Sequence, residues 1–437
     1  MARRAWMFLS GAAVAAAAAC SLSLDGYSAG DATDAASDAA GGDALADALG
    51  DDGGTPSSAP VQITTTNAAT KGSGLPMQSH LLFAAHAQTW VLFYVDSATP
   101  MSLRSKLSTD FSTWTDGAAL DLPAQHGGDG RDFAFATAEA GGADVIEIAM
   151  SIHFGAADKR HLVARATLTG GTIAYGTVGQ QSMTPHSDSN LDPDGPAIAI
   201  AGDGFVTDFT GWWTNNPDGG GGTGNAYAFR SSAPDVGGTF APTWDGTSIE
   251  TVDIVCNARG ALVLGGSAVL ALWEKGDVEP DPTNVRASRS NGTSWSNPVD
   301  VFQKSAAQDP GDWAALAVAP NDVHLVRMRL DGSLDHARFD GVKWSAGATV
   351  PAAALEVGGG IALAEGASGP LLLALAEGGK EVRGSRWDGA AWSQWSPIVP
   401  SGATRSALAA TNASGKSAVL WTESSGSGFA IGAFQLR

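Results

Sequence analysis

The chain has 437 residues, is 44% hydrophobic and 8% aromatic, and carries a formal charge of −20. A surface this acidic repels a phosphate backbone, which excludes nucleic acid as a partner. Cys20 and Cys256 are the only cysteines, too few for a disulfide framework, so stability has to come from an apolar core.

Arg3 and Arg4 precede an almost unbroken run of small and apolar residues from Ala5 to Ala19, which stops at Cys20. Charged and apolar regions in this order make a secretory leader, and the run is too short and too rich in Ala for a permanent spanning helix. The stretch "AAAC", Ala17 to Cys20, resembles the bacterial lipoprotein box, with Ala17 where that box usually has Leu. The resemblance implies a signal peptide over 1–19 and a lipid on Cys20 as the sole membrane attachment. Because Ser21 rather than Asp follows the cysteine, it also implies an outer-membrane or cell-surface location. Ordinary cleavage nearby, giving a soluble secreted or periplasmic protein, is the alternative. Cys256, in the apolar run "VDIVCNA", reads as a buried thiol.

Residues 20–60 follow as a tether. From 21 on they carry eight Asp, no Lys or Arg, and otherwise mostly Ala, Gly and Ser. Such a composition buries too little apolar surface to offset the entropy of ordering. Taking these eight Asp and the two leader Arg from the formal charge of −20 leaves −14 for residues 61–437.

From residue 61 onward helical periodicity is scarce, while short alternating apolar runs between Gly, Asn, Asp and Pro recur to the end, the pattern of an all-β domain. Seven times a pair of apolar runs flanks a small-residue turn, from "HLLFAAHAQTWVLFYV" through "PAIAIAGDGFVTDFTGWW" to "SALAATNASGKSAVLWTE". Downstream lies a second polar turn ending in an aromatic. The segments "ASRSNGTSWS", "HARFDGVKWS" and "GSRWDGAAWS" align without gaps, setting Trp295, Trp344 and Trp392 49 and 48 residues apart. Four antiparallel strands in about 50 residues is the size of a β-propeller blade. The expected fold is a propeller of seven four-stranded blades over 61–437, or six if the irregular region from Gly238 to Glu274 has been miscounted. The last unit stops after its third strand, "FAIGAFQLR", and "VQITTT", Val61 to Thr66, is expected to complete it and remove an exposed edge.

One copy of the polar turn, "RSSAPDVGGTFAP", resembles the Asp-box (BNR repeat) of sialidase-like propellers at Asp235, Gly237, Thr239 and Phe240, with Ala233 in place of the usual Ser. In physical terms the Asp carboxylate caps turn amides, the Gly takes a positive φ and the ring packs between blades, which is a scaffold role. A basic residue recurs before the turn in six units, as Lys106, Arg165, Arg230, Arg289, Arg338 and Arg386. One residue per blade reads as architecture rather than as a ligand-gripping cluster. The resemblance implies that an active site, if present, needs three arginines, an Asp acid/base and a Tyr nucleophile activated by Glu. The chain departs from this. The stretch "GSGLPMQSHLLF" lacks the family's first arginine, and Tyr94, Tyr175 and Tyr227, the only tyrosines of the domain, fall inside apparent strands.

Function is expected at the opposite end of the ring, where the loops between second and third strands and the links between blades emerge. The long insertions "IHFGAADKRH", "PHSDSNLDPDG", "TNNPDGGGGTGN" and "EKGDVEPDPTN" belong there. They supply the candidate ligand-binding residues His153, Lys159, His186, Asp188, Asp192 and Glu274. Trp212 and Trp213 join them, because adjacent strand residues point to opposite faces and leave one ring free to stack on a sugar. His126 and His161 read as solvated loop histidines. In "DSNLDPDG" Pro193 breaks the spacing of a calcium loop, so no metal or other cofactor is expected. The function expected is a non-catalytic propeller, monomeric by default, that binds glycan or an envelope protein. The competing expectation is a sialidase-like glycoside hydrolase.

Overall fold

A computed structural model describes residues 59–66, 77–96, 102–121, 133–140, 145–153, 159–176, 179–180, 191–214, 223–252, 256–275, 284–302, 312–413, 415–425 and 428–436. All of these belong to the larger of the two units into which the chain divides, 44–437. The leader, Cys20 and most of the tether lie outside the described residues.

The described residues form seven antiparallel sheets, the all-β propeller that the repeat predicts. The innermost strands are Leu81–Ala84, Phe133–Ala140, Leu191–Ile200, Cys256–Gly265, Trp313–Ala319, Ile361–Gly366 and Arg405–Ala413, defining blades 1 to 7. Each touches the next and the last returns to the first, so the ring closes. The region Gly238–Glu274 resolves into the fourth strand of blade 3, Trp244–Val252, and the first two strands of blade 4, which settles the count at seven. In blades 1 and 2 a short extra strand also pairs with the third one.

Closure occurs as expected. Val61–Thr66 pairs antiparallel with Gly428–Leu436, Val61 opposite Ala433 and Thr66 opposite Phe429, and becomes the fourth strand of blade 7.

The apolar runs become inner strands because both faces of a blade meet a neighbour. Thr89–Val95 is buried along its whole length, whereas the outermost Thr115–Asp116 and Val299–Asp300 are exposed. Each of the seven junctions has its own apolar cluster. Burying a Leu, Val or Phe stabilises by about 1.5–3 kcal/mol, so each cluster welds two blades. The turn aromatics Trp114, Phe240, Trp295, Trp344 and Trp392 each pack into the cluster between their own blade and the preceding one.

The polar turns follow the box chemistry with one shift. Asp235 accepts the Gly237 amide at 3.2 Å. In four other copies the capping residue stands one place nearer the aromatic. Asp110 takes the amides of Ser112 and Thr113, Asn291 those of Thr293 and Ser294, Asp340 those of Val342 and Lys343, and Asp388 those of Ala390 and Ala391. Three places before every aromatic the backbone is left-handed, with φ of 62° at Phe111, 95° at Gly237, 93° at Gly292, 92° at Gly341 and 101° at Gly389. A Cβ at Gly389 would meet nothing within 4 Å. Gly389→Ala should therefore cost only the backbone penalty, about 1–2 kcal/mol, readable by urea unfolding.

Candidate functional site

Up-and-down blades put every polar turn at one end of the ring and every loop between second and third strands at the other. At that second end the insertions 122–132, 154–158, 181–190, 215–222 and 276–283 lie outside the described residues, and His126, His186 and Asp188 with them. The strand ends that carry these insertions are described. His153 pairs with Lys159 across the hairpin of blade 2, while Asp192 pairs with Trp213 and Pro193 with Trp212 in blade 3. Five of the expected residues thus sit on neighbouring strand ends, placed by backbone register. Their side chains lie outside the described set.

Glu274 is described fully and is 4% exposed. Its Oε1 accepts the Trp313 indole N–H at 2.6 Å, tying blade 4 to blade 5. At the same end Glu250 of blade 3 accepts the Trp273 indole of blade 4 at 3.0 Å, and within one strand of blade 7 Glu423 accepts the Trp421 indole at 2.7 Å. The arginines here also hold carboxylates. Arg286 pairs with Glu250 and Asp300, Arg327 and Arg329 share Asp335, Arg383 holds Glu381 and Arg405 holds Glu423.

Sequence reasoning missed the buried polar networks between blades. His161, expected in solvent, is 1% exposed. Its Nε2 lies 2.6 Å from Asp208 Oδ2 of blade 3 and its Nδ1 3.4 Å from Ser151 Oγ across the hairpin. Serine, histidine and aspartate are the residue types of a nucleophilic triad. Here Ser151 is 2% exposed and Asp208 wholly buried, so the trio has no room for a substrate and acts as a tie between blades. A second network joins blades 5 and 6. Trp392 Nε1 donates to His336 Nδ1 at 3.1 Å, and His336 Nε2 lies 3.0 Å from His324 Nδ1. His324 Nε2 is in turn 3.2 Å from Asp322, which also takes Arg338 at 2.6 Å. Burial pushes His336 down to about 4, keeping it neutral.

Five of the six recurring basic residues engage the scaffold, as read. Lys106 holds Asp116 at 2.7 Å, Arg230 lies 3.3 Å from Asp203 and stacks on Phe205, Arg338 holds Asp322, and Arg289 donates to the Gly341 carbonyl at 3.0 Å. Arg165 grips Asp235 with two bonds, 2.7 and 2.9 Å, so the carboxylate that caps one box turn is fixed from the preceding blade.

At the centre the inner strands enclose a cavity of about 360 Å³. Met77 and Ser79 line it from the loop-rich side, on a segment that meets blades 5 and 2 before it reaches blade 1. Met77 Sδ accepts the Ala315 amide of blade 5 at 3.2 Å, and Gly260 of blade 4 makes room, since a Cβ there would lie 2.5 Å from the Met77 methyl. Met77 and Ser79 adopt φ of 75° and 53° on this segment. The cavity opens at the turn-bearing end, where Glu139, Glu365 and Asn412 meet Ile200, Val263 and Ala317.

No family model and no curated protein matches the chain. Among solved structures, Trypanosoma rangeli sialidase in a complex with difluorosialic acid is similar over 74% of this chain and 56% of its own, with 10% identity and a TM-score of 0.46. The chain thus spans about half the length of the sialidase chains it matches. An α-L-arabinofuranosidase of Fusarium graminearum with an iminosugar inhibitor is similar over 88% of this chain and 98% of its own, at 9% identity and a TM-score of 0.45. The Aleuria aurantia lectin with α-methyl-L-fucoside is similar over 70% and 95%, at 15% identity and a TM-score of 0.39. The likeness to all three is a distant one of β-propeller fold.

Proposed function

We propose that the chain is an exported lipoprotein, held by a lipid on Cys20 and the acidic tether, whose propeller binds glycan without turning it over through its loop-rich end. One observation carries the reading. Val61 enters blade 7 from the turn-bearing end, because it pairs with Ala433 while Thr66 pairs with Phe429 near the start of the third strand. Residue 61 thus enters the domain at the end opposite the insertions of blades 2 to 4, so the point of entry leaves those insertions unobstructed for a large ligand. Trp212 and Trp213 stand at the base of those insertions as the stacking groups. The arginine–carboxylate pairs at this end favour binding over sialidase-type hydrolysis, since an arginine already neutralised grips a substrate carboxylate poorly.

The test is a glycan array with the purified chain, beside a fluorogenic sialoside assay. Specific glycan retention without turnover is expected. It should be lost by at least about tenfold in one of Trp212→Ala and Trp213→Ala, since successive residues of a strand alternate between its two faces. Turnover of the sialoside, or an array with no retained glycan, would overturn the reading.

A further inference from the structure

The central well is apolar on one side and polar on the other, where Asn412 and Thr137 are held by bonds to neighbouring strands and to residues 78–79. The wall from blades 3 to 5 is aliphatic, formed by Ile198, Ile200, Leu262, Val263 and Leu316. The remaining arc, from blade 6 through blades 7 and 1 to blade 2, brings Glu365, Thr411, Asn412, Ser79, Thr137 and Glu139. Both carboxylates lie late in their inner strands, Phe133–Ala140 and Ile361–Gly366, and so stand at the open end. Glu139 is oriented by the Ala85 amide, which donates to its Oε1 at 3.0 Å. Glu365 is exposed, and no hydrogen bond or ion pair engages its carboxylate among the described residues. Among the described residues no Lys, Arg or His lines the well.

From this geometry we infer that the well is a binding site for a small amphiphilic cation, an alkylammonium whose tail lies along the aliphatic wall toward Met77 and whose head sits between the mouth carboxylates. A volume of about 360 Å³ falls within the roughly 300–1,000 Å³ of small-molecule sites. Charge selects the occupant. With eight Asp and no Lys or Arg, residues 21–60 supply no cation for the mouth, and its carboxylates repel anions. Fatty acids and phosphates are repelled for the same reason. The site faces away from the loop-rich end, so it is independent of the glycan reading.

The test is calorimetric titration of the purified chain with n-butyl-, n-hexyl- and n-octylammonium at neutral pH and low salt, with octanoate and octanol as controls carrying the same tail. Each added methylene should tighten binding about fourfold, and octanoate should not bind. Glu365→Gln, at an exposed position that the fold tolerates, should weaken octylammonium about tenfold. Ala317→Trp, which fills the mouth, should abolish binding while leaving the unfolding midpoint near that of the parent. Absence of binding, affinity independent of tail length, octanol binding as tightly as octylammonium, or unchanged affinity in Glu365→Gln would each overturn the inference.

Discussion

Deleting Val61–Thr66 should destabilise the domain by at least about 5 kcal/mol and turn it into a self-associating species. Ile63 is 7% exposed and packs with Leu81, Phe83 and Trp90 of blade 1 and with Ile431 and Ala433 of blade 7. Its loss alone, tested as Ile63→Ala, is worth about 2–4 kcal/mol. The strand also brings its ladder bonds to Gly428–Leu436 and a bond from Thr66 Oγ1 to the Val95 carbonyl at 2.6 Å. These add about 1 kcal/mol each. Without the strand, a buried third strand becomes an open edge that invites pairing with a second copy. Urea unfolding and sedimentation would measure both effects. A synthetic peptide of residues 59–66 added in trans should restore the monomer, since an exposed edge accepts an added strand. A deleted chain as stable and as monomeric as the parent would show that the ring does not depend on this seam.

Why the blades were legible while the networks were not follows from where each signal lies in the chain. A blade's inner pair is local. "GALVLGGSAVLALWE" shows two apolar runs and a glycine turn within one window, and it folds as Cys256–Gly265 against Ala268–Lys275. The partners His161 and Asp208, by contrast, are 47 residues apart, and Trp392 and His336 are 56 apart. Nothing in the residues around them marks the pairing, because it is set by how one blade stacks on the next. Even so, a weak signal was present. A polar residue inside an otherwise apolar inner strand, such as Glu147 in "VIEIAM" or Asp208 in "FVTDFTGWW", must find a partner when buried, and the partner has to come from the adjacent blade. The candidate site divides the same way. The register of the described strands brings His153 beside Lys159 and Trp213 beside Asp192, whereas the placing of Met77 against Gly260 and Ala315 depends on two blades at once.

Glu147→Gln should stabilise the protein, with a gain that grows as pH rises. Glu147 is 1% exposed and sits opposite Arg165 in register, yet the Arg165 guanidinium is turned to Asp235 and its Nε lies 3.9 Å from Glu147. Burial, helped by the neighbouring Asp235 carboxylate, pushes Glu147 from 4.5 up to about 9, so at neutral pH the folded protein holds a proton there that the unfolded chain has released. Asp235 moves the other way, held below its usual value by Arg165 and by the proton on Glu147. A folded value above the unfolded one means that the contribution of Glu147 is fully present below pH 4.5 and is lost as pH rises toward 9. At pH 7 the loss is roughly 3 kcal/mol. A glutamine keeps the shape and the donor and has no proton to lose. Glu147→Gln should therefore match the parent near pH 4.5 and exceed it by roughly 3 kcal/mol at pH 7. Asp235→Asn should weaken the protein at both, because it removes the ion pair with Arg165. Urea unfolding of the three proteins across this range decides the matter. Parallel pH profiles for parent and Glu147→Gln would mean that the carboxyl is ionised within the sheet, with Arg165 shared between the two acids.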